Sequence, residues 1–114
     1  MHRNHVYVFD VAAAPADRLD DLGTVRTALT ALVDDAGLHA VGSEAVHRFA
    51  PQGLSLAILL AESHVAVHTW PEHGTAYVTL TTCRLPSDGF VERTAAALGA
   101  TLGGEVVART MADA

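Results

Sequence analysis

The sequence predicts an α+β fold, a two-layer sandwich in which two helices pack on one face of a mainly antiparallel β-sheet. Two amphipathic segments of helical period alternate with apolar, β-branched segments that favour strands. Short connections join successive strand segments in the middle of the chain, which favours antiparallel pairing. Half of the 114 residues are hydrophobic, so residues 1–114 are expected to form one domain around one core.

The strand segments are rich in Val, aromatic and other β-branched residues. They are predicted at His5–Val11, Glu44–Phe49, Leu54–Glu62, His64–His68, Thr75–Cys83 and Gly104–Thr110. Pro and Gly residues that favour turns separate several of them, at positions 51 and 53 and again at 71 and 74.

Two segments have the apolar spacing of a helix. The first runs from Leu22 to Ala36, with Gly37 where a C-cap is expected, and the second runs from Phe90 to Leu98, with Gly99 near its end. Both helices can bury their apolar sides if they pack on the same face of the sheet. The segment 12–21 contains a Pro and three Asp residues and is predicted to be a loop.

Composition excludes several classes of partner. The formal net charge is −6 and no Lys/Arg cluster is present, so neither nucleic acid nor an anionic membrane surface is an expected partner. Cys83 is the only cysteine, which leaves no internal disulfide and fits a reducing compartment. The N-terminal apolar stretch is too short and too interrupted for a signal peptide, and no run of about 18 apolar residues occurs. We therefore expect a cytoplasmic protein.

The segment from Leu60 to Cys83 differs from ordinary scaffold. It reads LAESHVAVHTWPEHGTAYVTLTTC and places three His, two Glu, one Ser, the only Trp and the only Cys in an apolar context. Polar groups in such a context need hydrogen-bond partners or a function. This segment is therefore the place to look for a site.

A metal site is the first hypothesis for this segment. His64 and His68 have the spacing of helical zinc ligands. The β-branched residues between and after them predict a strand instead, on which residues four apart are separated by about 13 Å. No metal is therefore predicted.

A nucleophilic enzyme with a Cys–His pair is the second hypothesis. Cys83 could pair with His47, His64 or His68. Two such residues occur together in many unrelated proteins, and a lone Cys is usually a small buried apolar residue.

The third hypothesis makes the Glu62–Ser63 peptide bond the reactive element. A serine hydroxyl can attack the preceding carbonyl, and β-elimination from the resulting ester breaks the chain and leaves a pyruvoyl group. This chemistry needs a base for the α-proton and donors for the oxyanion, for which His68 and Ser55 are candidates. Residue types alone do not distinguish a reactive Glu62–Ser63 bond from an ordinary Glu-Ser pair.

The order of motifs in the sequence favours the third hypothesis, in which the Glu62–Ser63 bond is cleaved. Ala61-Glu62-Ser63-His64, then His68-Thr69-Trp70-Pro71-Glu72, then Thr82-Cys83 closely resemble the signature of the prokaryotic S-adenosylmethionine decarboxylase proenzymes. The lead-in Phe49-Ala50-Pro51-Gln52-Gly53, followed by Ser55, resembles that family's Phe-x-Pro-x-Gly-x-Ser. The resemblance covers positions 47–83 well and the remainder only in the order of elements.

The resemblance implies a role for each matching residue. Cleavage after Glu62 would give a β chain of residues 1–62 and an α chain of residues 63–114, whose pyruvoyl group, formed from Ser63, would bind the substrate amine as a Schiff base. Ser55 and His68 resemble the processing residues, with His68 also in the catalytic set. Cys83 resembles the acid that returns a proton to the substrate carbon. Phe49 resembles the residue that stacks on adenine, and Glu72 the one that binds the ribose hydroxyls.

Departures from the family pattern concern the substrate pocket. The family usually has Gly where this chain has Leu56 and Arg84, and often an Asp and an aromatic residue in the region of Thr79 and Thr81. Decarboxylated S-adenosylmethionine, used in spermidine (polyamine) biosynthesis, is the first expected product. Homologues in the superfamily decarboxylate arginine or ornithine instead, which would need an acid for a distal cation.

Three acids could serve such a cation, namely Asp10, Glu44 and Glu72. A further alternative is a catalytically inactive regulatory or scaffold homologue, which should have lost Ser63, His68 or Cys83, and this chain retains all three.

The small size and high apolar fraction, together with the resemblance, predict a homodimer of αβ units with each site near the subunit interface.

Overall fold

A computed structural model describes residues 4–112 and has the predicted α+β architecture. The strands are β1 (His5–Ala12), β2 (Ala45–Arg48), β3 (Leu54–Leu60), β4 (Ser63–Trp70), β5 (Thr75–Thr82) and β6 (Glu105–Ala112). They form one sheet in the order β2-β3-β4-β5-β1-β6, and every neighbouring pair is antiparallel. The predicted fold class is confirmed.

The helices are α1 (Ala16–Leu19), α2 (Leu22–Asp35) and α3 (Phe90–Leu102), with a single 3-10 turn at Pro71–His73. α2 and α3 pack against each other, α2 also contacts β4, and α3 also contacts β1 and β6. Both long helices therefore cover one face of the sheet, as predicted. Within the described residues, no helix is long and apolar enough to cross a membrane.

One local prediction was wrong. The segment 12–21 is not all loop, because Pro15 starts the short helix α1 and the fully buried Leu19 anchors it in the core. α3 ends at Leu102, three residues past Gly99, and its C-cap is Gly103, which has a left-handed φ of 82°. Gly99 serves a close approach instead, since a Cβ there would lie 3.0 Å from the carbonyl oxygen of Gly104.

The two faces of the sheet differ sharply. Alternate residues of each strand point to opposite sides, and those under the helices are almost all buried and apolar. This covered face holds Phe9, Val11, Leu54, Leu56, Val65, Val67, Val78 and Leu80. Because these side chains are apolar and fully enclosed by α2 and α3, the covered face is the core of the molecule.

The opposite face, here called the open face, has no helix over it within residues 4–112. Cross-strand pairing aligns its side chains in rows, of which the first is His47, Ser55, His68, Tyr77, Asp10 and Val107. The middle row is Ala45, Ala57, Ala66, Thr79, Val8 and Arg109, and the last is Leu59, His64, Thr81, Val6 and Met111. Large apolar side chains remain exposed here, including Leu59, Val107 and Met111 at 61–65%.

Candidate active site

The predicted site residues lie in two groups at opposite ends of β4. The cleavage group is Glu62, Ser63 and Cys83, and the pocket group is Phe49, Ser55, His68 and Glu72. Ser63 and His68 are five positions apart on one continuous strand, which corresponds to about 17 Å at the usual strand rise. Within one chain, the two groups are therefore too far apart to contact each other.

The cleavage group begins at a tight turn. β3 and β4 are joined by Ala61 and Glu62 alone, and Glu62 has a left-handed φ of 61°. A residue with a Cβ in this conformation costs about 1–2 kcal/mol. Backbone strain therefore lies on the residue whose carbonyl would be attacked by Ser63.

The hydroxyl of Ser63 is free of competing interactions. Ser63 lies opposite Leu60 in the β3–β4 pairing, and its Oγ is buried without a hydrogen-bond partner among the described residues. A buried hydroxyl left unpaired costs about 1–3 kcal/mol, and such groups in folded proteins call for a functional explanation. No hydrogen bond has to break before this hydroxyl reacts.

Cys83 reaches the same turn because β5 pairs with β4. It directly follows β5, is half-buried, and its Sγ lies 3.9 Å from Oε2 of Glu62. The chain then turns away, with the N–H of Arg84 donating to the Thr82 hydroxyl at 3.1 Å. Antiparallel pairing thus brings the only thiol beside the bond predicted to break.

In the pocket group, Ser55 and His68 form a direct pair. They are cross-strand neighbours on β3 and β4, and Ser55 Oγ lies 2.6 Å from His68 Nδ1. A short contact between a hydroxyl and an imidazole suits proton transfer and the stabilisation of an oxyanion. The structure thus brings the two predicted processing residues together.

A cavity of about 260 Å³ opens beside this pair. Its lining residues are Phe49, Ala50, Gln52, Ser55, His68, Thr69, Trp70 and Glu72. The Phe49 ring is half-exposed at 50% and stacks edge-on against His47, with the ring centroids 4.7 Å apart. Complete ligand pockets usually enclose about 300–1,000 Å³, so this cavity is slightly small and its aromatic wall is left open.

Sequence reasoning missed Trp70 and Gln52 as pocket residues and His47 as the support of the Phe49 ring. Trp70 could have been found, because it follows His68 by two positions on the same strand and must share its face. Gln52 lies in the turn between β2 and β3, where no periodic signal exists.

The histidines proposed as metal ligands lie as the strand prediction required. His64 and His68 both belong to β4, and they are four residues apart on the open face. Across the part of the chain that the structure describes, no group of three or more His, Cys, Asp or Glu side chains is arranged to hold a metal ion.

Comparisons with known proteins identify the family of this chain. The S-adenosylmethionine decarboxylase family matches residues 4–110. The S-adenosylmethionine decarboxylase proenzyme of Aquifex aeolicus is 40% identical over 81 residues, or 71% of this chain and 59% of that protein. The proenzyme of Persephonella marina is 42% identical over 74 residues, or 65% of this chain and 55% of that protein.

The fold agrees as well. The crystal structure of the adenosylmethionine decarboxylase from Aquifex aeolicus superposes with a TM-score of 0.78 and 27% identity, covering 96% of this chain and 89% of that chain. The chain spans slightly more than half the length of the curated relatives it matches. Because the family match extends over nearly all the described residues, the chain belongs to the S-adenosylmethionine decarboxylase family.

Proposed function

We propose that this chain is a self-processing proenzyme that cleaves itself between Glu62 and Ser63 and becomes a pyruvoyl-dependent decarboxylase of S-adenosylmethionine. The observation that carries the proposal is the buried, unpartnered Ser63 hydroxyl directly after the strained Glu62, with the Cys83 thiol beside the same turn. Family membership adds independent support.

Cleavage would proceed by known serine chemistry. The Ser63 oxygen attacks the Glu62 carbonyl carbon, the amide nitrogen leaves as an amine, and an ester links the two residues. A base removes the α-proton of Ser63, the ester C–O bond breaks, and Glu62 is released as a carboxylate. The dehydroalanine that remains tautomerises and takes up water, releasing ammonia and leaving the pyruvoyl group. Attack also relieves the left-handed strain at Glu62.

The fit of the pyruvoyl group rests on this same geometry. Once formed, that group supplies a carbonyl for the substrate amine and an electron sink for the charge left by loss of CO₂. Cys83 would deliver the proton to the former α-carbon, because a positioned thiol can act as a general acid and be reprotonated afterwards. Its position beside the turn at Glu62 supports this role.

A complete site requires two copies of the chain. The roughly 17 Å between His68 and Ser63 within one chain prevents either member of the Ser55–His68 pair from acting on its own Ser63. Two copies could stack their open faces around a two-fold axis that lies between the sheets and parallel to the middle row. This axis places the first row of one copy opposite the last row of the other. It would lay each Ser55–His68 pair over Leu59 and His64 of the other copy, next to the turn at Glu62 and Ser63.

The open face suits such an isologous contact. Small side chains at Ala57, Ala66 and Thr79 occupy the middle row, so two sheets could approach to the usual separation of about 10 Å. The exposed Val107 and Met111 would be buried by the contact. The homodimer of αβ units thus explains both the divided site and the exposed apolar face, and sedimentation as a monomer at micromolar concentration would contradict it.

The pocket favours S-adenosylmethionine over a basic amino acid. Phe49 and Trp70 offer aromatic faces for a purine and for a sulfonium, and Glu72 offers a carboxylate for ribose hydroxyls. Of the other acids that could bind a distal cation, Asp10 accepts from Arg109 at 2.6 Å and Glu44 is paired with Arg26. Both of these carboxylates are therefore already neutralised.

Release of ¹⁴CO₂ from carboxyl-labelled substrates tests the proposal. S-Adenosylmethionine, arginine and ornithine are supplied side by side to the purified protein, whose processing is followed by intact-mass spectrometry. We expect two chains, the second blocked to Edman degradation, and CO₂ from S-adenosylmethionine alone. Release from arginine or ornithine alone would overturn the substrate and leave the cleavage chemistry standing. A chain that stays uncut after prolonged incubation would falsify self-processing.

A further inference from the structure

The wall of the pocket that carries Phe49 is a short loop between β2 and β3. Phe49 and Gly53 close this loop on itself, the N–H of Phe49 donating to the Gly53 carbonyl at 2.8 Å. The loop is otherwise solvent-exposed on its outer side, and Phe49 itself is half-exposed. The orientation of the aromatic platform therefore depends on what holds Gly53.

The N–H of Gly53 is held from outside the loop. It donates to Oδ1 of Asp20 at 2.8 Å, across 33 residues of sequence. Gly53 is buried, its φ is 105°, and a Cβ there would lie 3.0 Å from the carbonyl oxygen of Thr69. The backbone at Gly53 is thus tightly confined, and the Asp20 carboxylate fixes its one outward donor.

Asp20 occupies a special place in the connection between α1 and α2. Its neighbour Asp21 caps α2, accepting the N–H of Thr24 at 2.9 Å and its hydroxyl at 2.7 Å, and these bonds lower the pKa of Asp21. Asp20 caps no helix with its side chain and reaches across to the pocket loop instead. Arg48, at the other end of that loop, donates to the Asp20 carbonyl at 2.8 Å and lies 3.8 Å from Oδ1.

We infer that Asp20 is a positioning residue for substrate binding: through Gly53, it holds the loop that carries Phe49 against the pocket. This inference rests on the proposed function, because it concerns the wall that contacts the adenosine part of the substrate. Asp20 touches neither the reacting atoms nor the Ser55–His68 pair. Its loss should weaken binding and leave both cleavage and the chemical step intact.

The test uses the processed protein and 5′-methylthioadenosine, which carries the adenosine group but no α-amine. Trp70 is the only tryptophan and lines the pocket, so its fluorescence reports binding directly. We expect Asp20→Ala to raise the Kd of this ligand and the KM of S-adenosylmethionine about tenfold, as for one buried donor left unpaired. The kcat and the rate of self-cleavage should stay within about twofold, because no group at the reacting atoms has changed.

Two further variants separate positioning from general stability. Asp20→Asn keeps an oxygen that can accept from Gly53 and should restore both constants to near the wild-type values. Asp21→Ala removes the cap of α2 and should lower the Tm without changing the KM. If Asp20→Ala does not fold, Asp20→Ser serves in its place, since the shorter side chain cannot reach Gly53.

Three outcomes would overturn the inference. Equal ligand binding by wild type and Asp20→Ala would remove it while leaving the proposed function intact. Equal weakening by Asp20→Asn and Asp20→Ala would show that the hydrogen bond is not the cause. If wild-type protein bound no ligand and released no CO₂ from S-adenosylmethionine, the substrate itself would be wrong and the inference would fail with it.

Discussion

The cleavage group and the pocket group are built by different means. Strain and pairing place Glu62, Ser63 and Cys83, because a two-residue turn and the β4–β5 ladder fix them with few side-chain contacts. The pocket group is organised by side chains around a cavity, with the Ser55–His68 pair at 2.6 Å as its centre. One region is suited to making and using a reactive group, and the other to recognition and proton transfer.

The distance between the cleavage group and the pocket group is more informative than either group alone. Both lie along the same pair of strands, yet about 17 Å of β4 divides them. Residues 4–112 form a single sheet, so under the proposed dimer the open face of another copy would bring the two groups together. The substitutions below act on one group at a time and should therefore give different defects.

Ser63→Ala should have the largest effect. Without the Oγ, no ester can form, so the chain should remain uncut and decarboxylation should fall by about 10³-fold or more, as when a nucleophile is removed. Intact-mass spectrometry and CO₂ release measure the two consequences. Ser43→Ala, in the exposed segment before β2, is the matched control and should be processed normally. Two chains from Ser63→Ala would place the cleavage elsewhere.

Cys83→Ala should separate chemistry from maturation. The thiol is assigned to protonating the product carbon, so kcat should fall by about 10²-fold, a usual loss for a general acid, while cleavage before Ser63 continues. Cys83→Ser retains a weaker donor and should be intermediate. Turnover of the alanine variant at the wild-type rate would mean that another group donates the proton.

Glu72→Gln should affect binding alone. It removes the charge from the carboxylate assigned to the ribose hydroxyls, so the KM for S-adenosylmethionine should rise about tenfold with little change in kcat. Glu92→Gln, on the exposed surface of α3, is the matched control. A fall in kcat at constant KM would move Glu72 from recognition to the chemical step.

Glu62→Gly should have the smallest effect and tests the strain at the turn. Glycine accepts a left-handed φ without penalty, so the proenzyme would lose strain that cleavage otherwise relieves. Self-cleavage should slow by about threefold to tenfold, matching about 1 kcal/mol. Glu62→Gln keeps the strain and should cleave faster than the glycine variant. Ala13→Gly removes a similar left-handed residue, with φ 57°, at the end of the sheet opposite Glu62 and should not alter the rate.

Much of this organisation was predictable from residue patterns. Richness in Val, aromatic and β-branched residues predicted the strands, and it correctly assigned His64 and His68 to one strand, on which they lie about 13 Å apart. The two long helices followed from apolar spacing, whereas the close packing of Gly99 beside Gly104 could not be predicted. The short helix α1 is anchored by the buried Leu19, and this burial depends on tertiary contacts that no local sequence pattern encodes.

The sequence motifs proposed a set of site residues but could not predict how those residues are arranged. The motifs named Ser63 and His68 together, and only the pairing register reveals that they lie at opposite ends of β4. The hydrogen bond from the Gly53 N–H to Asp20 could likewise not be predicted from the sequence, because it joins segments that are 33 residues apart. Long-range geometry of this kind depends on sheet order, which local sequence does not specify.

Subunit complementation tests the divided site most directly. Ser63→Ala chains keep an intact pocket group, His68→Ala chains keep an intact cleavage group, and neither should mature alone. When the two are co-expressed, each mixed dimer should contain one complete site. The His68→Ala chain should then be cleaved before its Ser63, and CO₂ release should return to about a quarter of the wild-type level for random pairing of symmetric dimers. Normal cleavage of His68→Ala alone, or no cleavage in the mixture, would contradict a site shared between two copies.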